Sequence, residues 1–242
     1  MRFISIITTT SKNNLFILKS GVSLKKLSTV SSKDIISHQT FKFIDYQFPE
    51  KIAKSRQNIF EKSFFILPDV VTDIEEKELV NEIEISLKRL RYQHDHWDDA
   101  IHGYRETEKI LWKNDKNANI INKLKILSFG NDSKTKPMQQ VHILDLYDDG
   151  YVKAHIDSVK FCGNIIAGLS LLSDSIMKLT DDTDPNIFVE ALLPRRSLYI
   201  MKDDVRYKYK HEVLARSDKQ FKGIKVLRKR RISIVMRNEP IM

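Results

Sequence analysis

Cysteine is almost missing: Cys162 stands alone among 242 residues, which excludes an internal disulfide framework and any zinc site built on several thiolates. No apolar run approaches the ~18 residues a membrane-spanning helix needs. No internal period repeats, which excludes a solenoid or a propeller. Acidic residues are absent before Asp34, whereas Arg2, Lys12, Lys19, Lys25, Lys26 and Lys33 lie in that stretch among many serines and threonines. Basic, hydroxyl-rich and acid-free is the composition of a mitochondrial transit peptide, drawn inward by its charge, and residues 1–33 are expected to be one. A secretory signal fits less well, because lysines interrupt the apolar residues throughout. The net charge of +9 is therefore no nucleic-acid signature by itself: beyond the leader, 35 basic residues face 32 acidic ones.

What is present suffices for one sizeable domain. The chain is 41% hydrophobic, and 12 Phe, 8 Tyr and 2 Trp argue against wholesale disorder. Residues 34–62 are polar and mixed and read as a connector, which leaves 63–242 as the domain. Residues 64–67 make a short apolar run ended by Pro68, a strand signal. Thr72 and Glu75 have capping-box spacing, and Ile74, Leu79, Ile83, Ile85, Leu87 and Leu90 suggest a helix face up to about residue 90. Residues 92–117 lack clean periodicity. Ile120, Ile121, Leu124, Ile126 and Leu127 suggest a second helix, closed by Gly130. From Met138 onward short β-rich runs recur at 140–147, 164–172, 187–193, 197–201, 207–214 and 231–237. Helices first and strands after point to an α+β chain with a mainly β core, a sandwich or jelly roll with flanking N-terminal helices.

Four features of the β-rich half carry chemistry. His155 and Asp157 are two apart, so on a strand they would share a face. His211 follows in a run whose alternation would place Tyr207, Tyr209 and His211 on one side and Arg206, Lys208 and Lys210 on the other. Two imidazoles and a carboxylate can form the facial triad of non-haem Fe(II) oxygenases, although His-x-Asp and a distant His are a weak signal alone. In the last strand, Arg231, Ser233, Val235 and Arg237 alternate with Ile232, Ile234 and Met236. If the aliphatic face is buried, the two arginines need anions, and six residues of strand span about 20 Å, room to bracket a small dicarboxylate. An amphipathic edge strand with solvated arginines is the competing reading. Tyr199 is the fourth feature; its hydroxyl could donate to the same carboxylate or merely fill space.

At this point the chain resembles a known family. Residues 64–237 are similar to the AlkB homologues among the Fe(II)- and 2-oxoglutarate-dependent dioxygenases, and most of all to their mitochondrial branch. The likeness is dense in residues 96–109 (HWDDAIHGYRETEK), 155–163 (HIDSVKFCG), 166–173 (IAGLSLLS) and 230–237 (RRISIVMR). It implies a double-stranded β-helix with His155, Asp157 and His211 as iron ligands, and with Fe(II), 2-oxoglutarate and O2 as cofactor and cosubstrates. The family's paired arginines fall on Arg231 and Arg237, and Tyr199 falls on a 2-oxoglutarate contact of this branch. In that reading Arg231 and Ser233 take the distal carboxylate and Arg237 steadies the other end. One position departs: where the wider family has Asn-x-Tyr-x-x-Gly this chain has Asp145-Leu146-Tyr147-Asp148-Asp149-Gly150. A carboxylate would repel the cosubstrate, so Asp145 is expected to point elsewhere and Tyr147 is a weak candidate.

The remaining motifs are expected to be bystanders. His94 and His96 read as surface or structural residues, Trp97 as an anchor, and Cys162 as a buried, inert thiol in a strand. Lys225, Arg228, Lys229 and Arg230 form a basic run, a solvated loop or a set of phosphate contacts. The resemblance implies a matrix oxygenase without the full nucleotide-gripping lid of the repair enzymes, hence a protein or peptide substrate. Methylated mitochondrial RNA is the alternative, duplex DNA is disfavoured, and a regulatory cosubstrate-binding protein with little turnover is a third reading.

Overall fold

The computed structural model describes residues 40–96, 99–130, 135–215 and 220–240. The expected transit peptide and Trp97 lie outside the described residues. The connector expected at 34–62 is described from residue 40, and there the chain instead forms β1 (Ile44–Gln47), which pairs with β8, and most of α1 (Glu50–Ser63). Ile44 and Phe60 are buried and join the core.

β2 (Phe64–Leu67) runs as expected up to Pro68. The capping box at Thr72 and Glu75 is complete and opens α2 (Asp73–Leu87), each bond filling an otherwise orphaned N–H. The buried face of α2 is narrower than the sequence suggested. Leu79, Ile83 and Leu87, four apart, are buried, whereas Ile74, Ile85 and Leu90 are exposed. The aperiodic stretch that follows is a hairpin, β3 (Gln93–Asp95) with β4 (Ile101–Lys109). α3 (Asp115–Phe129) then ends at Gly130.

The β-rich half comprises β5 (Val141–His155), β6 (Ile165–Leu171), β7 (Ser175–Asp181), β8 (Phe188–Leu193), β9 (Leu198–Lys202), β10 (Tyr209–Val213), the short pair β11 (Gln220–Phe221) and β12 (Ile224–Lys225), and β13 (Arg231–Arg237). α4 (Asp203–Lys208) precedes β10. All but β11 and β12 form one antiparallel sheet of eleven strands among the described residues, in the order β1-β8-β7-β10-β5-β13-β6-β9-β2, with β4 and then β3 attached to β5. The long β5 joins both halves. Residues 142–146 pair with β13, while Val152 and His155 pair with β10.

Strand alternation divides the sheet into two faces. Ile232, Ile234 and Met236 of β13, Ala167 and Leu169 of β6, and Leu198 and Ile200 of β9 pack under α2 and α3. Each large aliphatic side chain so buried contributes about 1.5–3 kcal/mol. The opposite, inner face carries Ile166, Val235, Tyr199, Met201, Tyr209 and Leu179. Between β4 and β5 the backbones touch: a Cβ on Gly150 would lie 2.2 Å from the carbonyl oxygen of Gly103, itself at φ +60° beside a register shift. No side chain fits there.

Candidate active site

The inner face is where polar groups interrupt the apolar layers. β10 and β5 place His211 directly opposite His155, with ring centroids 4.3 Å apart. β5 ends at His155, so Asp157 is delivered by the irregular segment beyond it and not by strand parity. The outcome is the same: one donor atom from each of His155, Asp157 and His211 lies within 4.8 Å of the others. The alternation expected over 206–211 holds only from Tyr209, where β10 begins and Tyr209 and His211 are both buried; before it the chain is α4. Tyr207 is therefore exposed, and Arg206 is buried, bonding the carbonyls of Gly163, Ser158 and Cys162.

Hydrogen bonds prepare each donor. Nδ1 of His155 sits 2.8 Å from the carbonyl oxygen of Lys153, which only accepts, so Nδ1 donates there and Nε2 is the nitrogen turned to the cluster. Nε2 lies 3.3 Å from Oδ1 of Asp157, and Nε2 of His211 lies 3.7 Å from the same oxygen. The second oxygen, Oδ2, accepts from Nε of Arg237 at 2.6 Å. Burial favours a neutral Asp157, but His155, Arg237 and His211 outweigh it and hold the carboxyl well below its ordinary range. Burial and the neighbouring His155 push His211 down to about 3, so it is a neutral imidazole. Its Nδ1 is buried without a hydrogen-bond partner among the described residues. Burial opposes protonation of His155, but its bonds to Asp157 and to the Lys153 carbonyl outweigh that and raise its pKa, so a metal would take Nε2 in place of a proton. Two imidazoles and one ionised carboxylate suit a divalent first-row metal such as Fe(II).

On the same inner face lies a buried arginine. Arg231 is 2% exposed. Its Nε donates to Ser170 Oγ at 3.0 Å, and it has no acidic partner among the described residues. Burial lowers its pKa to about 10, the mark of a guanidinium that lacks a counter-ion. Ser233, also buried, pairs in register with Ser170 and Leu144, while Leu146 pairs with Arg231. Tyr199 registers with Gly168, and a Cβ on Gly168 would meet the Tyr199 ring at 2.4 Å, so the ring lies flush over bare backbone. Tyr199 is buried, which raises its pKa and keeps it a neutral donor. Ser170 and the Lys153 carbonyl were not singled out from sequence. A lone hydroxyl within the apolar run 164–172 was the available signal for the first, and backbone groups carry none.

Other expected residues go elsewhere. Asp145 is fully buried on the helix-covered face, since it registers with Ile232, and it accepts from Arg105, Arg230 and Tyr92. Tyr147 is half exposed beside Tyr92, away from Arg231. Cys162 sits in a turn and not in a strand, half-buried, its thiol pushed up mainly by burial. His94 is exposed, and His96 turns to Glu106 at 3.5 Å. Arg228 is buried against the carbonyls of Leu214 and Tyr147, so half of the basic run (Arg228 and Arg230) is engaged within the protein. A second donor group, Asp95, Asp99 and His102, is exposed or half-buried. There each imidazole nitrogen already meets a different carboxylate and Asp99 meets Lys153, a hydrogen-bonded surface cluster.

The sequence profile of the 2OG-Fe(II) oxygenase superfamily matches residues 57–237. The chain is 46% identical over 173 residues to the mouse protein named alpha-ketoglutarate-dependent dioxygenase alkB homolog 7, mitochondrial, covering 72% of this chain and 77% of that one. It is 43% identical over 175 residues to the cattle protein of the same name, covering 72% and 78%. Among solved structures, a prolyl-4-hydroxylase from Pseudomonas putida superposes with a TM-score of 0.54 at 10% identity, covering 76% of this chain and 96% of that one. That likeness identifies the curled sheet as a jelly roll. The family uses Fe(II), 2-oxoglutarate and O2, and the His-Asp-His cluster is a donor set suited to that metal. On this agreement of profile, relatives, fold and donors, the chain belongs to the 2OG-Fe(II) oxygenase superfamily and is a 2-oxoglutarate-dependent dioxygenase of the AlkB type.

Proposed function

We propose that His155, Asp157 and His211 hold the iron, that Arg231 anchors the distal carboxylate of 2-oxoglutarate, and that the enzyme hydroxylates a protein or peptide in the mitochondrial matrix. The buried guanidinium of Arg231 carries the reading. It shares the inner face with Val235 and Tyr199, lacks a carboxylate of its own, and so offers its fork to a dicarboxylate. Ser233 and Tyr199 flank it, both buried, and bring hydroxyls to the same anion. Arg237 bonds Asp157 through Nε, which leaves its other N–H groups for the 1-carboxylate end.

Bound iron supplies the activation of O2, coupled to decarboxylation of 2-oxoglutarate to succinate and carbon dioxide. The chain contributes orientation. Lys153 fixes the His155 tautomer, Arg237 turns Oδ1 of Asp157 toward the imidazoles, and Leu144 and Leu146 pair with Ser233 and Arg231 beside the cosubstrate.

For the substrate, two features support a protein or peptide. Arg228 and Arg230 are used internally, which weakens a phosphate-gripping surface. The segment between α2 and β5, where a nucleotide lid would lie, is committed to the β3–β4 hairpin on the sheet and to α3 against the core. The acid-free leader and the relatives' names support mitochondrial import. A reporter carrying residues 1–40 should enter mitochondria; a cytosolic reporter contradicts this.

Substrate capture is the test: the full chain, loaded with manganese in place of iron and with 2-oxoglutarate, is crosslinked in isolated mitochondria and bound peptides and RNAs are both identified. Hydroxylation of a captured peptide by the iron enzyme supports the reading. Methylated RNA captured in a salt-sensitive way and demethylated overturns it in favour of the RNA alternative.

A further inference from the structure

We propose that Asp145 is a positioning residue for the cosubstrate site: through Arg230 it fixes the start of β13 and with it Arg231. This rests on the reading of Arg231 as the 2-oxoglutarate anchor. Asp145 has no exposed surface and accepts four hydrogen bonds: from Tyr92 Oη at 3.0 Å, Arg105 Nε at 2.7 Å, and Arg230 Nε and Nη2 at 2.9 and 2.8 Å. Glu84 of α2 completes the cluster, 2.5 Å from Arg230 and 3.7 Å from Arg105. Two carboxylates thus balance two guanidiniums, and Arg105 also caps the α2 end by donating to the carbonyl of Leu87 at 2.9 Å. Four elements meet at one carboxylate: the loop after α2, β4, β5 and the lead-in to β13.

Strand pairing explains why the cluster matters to the neighbouring residue. β13 pairs with β5 from Arg231 onward, but with β6 only from Ile232. At Arg231 the backbone is therefore held by the ladder on one side alone. Arg230, one residue earlier, leaves the strand on the helix-covered face, and its two bonds to Asp145 supply a second restraint. A fork held at both nitrogens by a buried carboxylate has little freedom, so the next residue inherits a fixed height and direction. Asparagine at 145 would present one acceptor and no charge. Arg230 and Arg105 would then share only Glu84, and Arg230 would pull toward solvent.

The test uses the full chain loaded with manganese. Equilibrium binding of 2-oxoglutarate is measured for Asp145→Asn, Arg230→Lys, the double variant, and Arg231→Lys as a reference, with manganese affinity as a fold control. Asp145→Asn and Arg230→Lys should each weaken 2-oxoglutarate binding about five- to twentyfold, and the double variant should be no worse than the poorer single one. Manganese affinity should stay within about twofold, and in the iron enzyme the loss should appear in KM and not in kcat. Additive losses, or equal losses of metal and cosubstrate affinity, overturn the route through Arg230. Arg230 is partly exposed, so Arg230→Lys still tests the route if Asp145→Asn does not fold. If Arg231→Lys binds 2-oxoglutarate normally, the cosubstrate assignment fails; if only Arg231→Lys is impaired, the positioning role alone fails.

Discussion

Arg237 and Asp157 are joined by a 2.6 Å bond that divides one carboxylate between two uses, Oδ2 to the guanidinium and Oδ1 to the two imidazoles. The arginine stays charged at any physiological pH, so Asp157 is electrically compensated whether or not a cation is bound. Removing the carboxylate therefore has a second effect, because it strands Arg237 with its charge half-buried.

From this follows an order of stabilities. Alanine at His155, Asp157 or His211 should each abolish iron-dependent decarboxylation of 2-oxoglutarate with the far-ultraviolet spectrum retained. Only Asp157→Ala should also lose about 1–3 kcal/mol from an unpaired buried group, at about 2–4 °C of Tm per kcal/mol. Thermal melts of the three metal-free variants decide it; equal Tm values would mean that Arg237 does not depend on Asp157.

Arg231→Lys exchanges a fork for a point charge in a site sealed from water. The expected result is a rise of about tenfold or more in KM for 2-oxoglutarate with kcat nearly kept. Steady-state kinetics over a cosubstrate series reads it directly, and unchanged kinetics would place the cosubstrate away from β13.

Gly168→Ala places a methyl group where the Tyr199 ring now lies. Overpacking of this kind costs about 1–3 kcal/mol, and it should drive Tyr199 off its bed and weaken 2-oxoglutarate binding, while Tyr199→Phe should not destabilise the fold. Paired melts and binding isotherms distinguish a packing fault from the loss of a hydroxyl.

Glu82 provides the pH test. It accepts from the backbone N–H groups of Lys113 and Asn114 and from Asn117 at the start of α3, and lies 3.0 Å from Lys109. Burial opposes ionisation, but these donors prevail and hold the carboxyl below its ordinary 4.5. A depressed folded pKa contributes stability that is present above the unfolded value and lost as pH falls through the folded one. Urea midpoints should therefore fall more steeply below about pH 4.5 in the parent than in Glu82→Gln; parallel curves would refute it.

Local pattern revealed what local pattern controls. The alternation in β13, the capping box at Thr72 and the His155–Asp157 pair are each written within a few residues, and all are present in the structure; His211, far along the chain, is joined to the pair by the family resemblance. β7 was hidden because Ser175, Lys178, Thr180 and Asp181 resemble a loop, although Met177 and Leu179 are wholly buried. α4 was hidden because Tyr and Lys alternate across its end as they would in a strand. The Asp145 cluster was illegible because its partners come from residues 92, 105 and 230, and only the departure from Asn hinted that the side chain belonged to another face.

The contact of Gly150 with Gly103 lies on β5 between Leu146, which pairs with Arg231, and His155, which pairs with His211. The spacing of the two halves of the proposed catalytic centre is thus gauged by main chain against main chain, without a side chain that could be trimmed or repacked to take up an error. A single methyl at this point would act as a wedge under a lever, lifting one end of β5 relative to the other. The reaction could then fail with every residue that touches iron or cosubstrate still in the sequence.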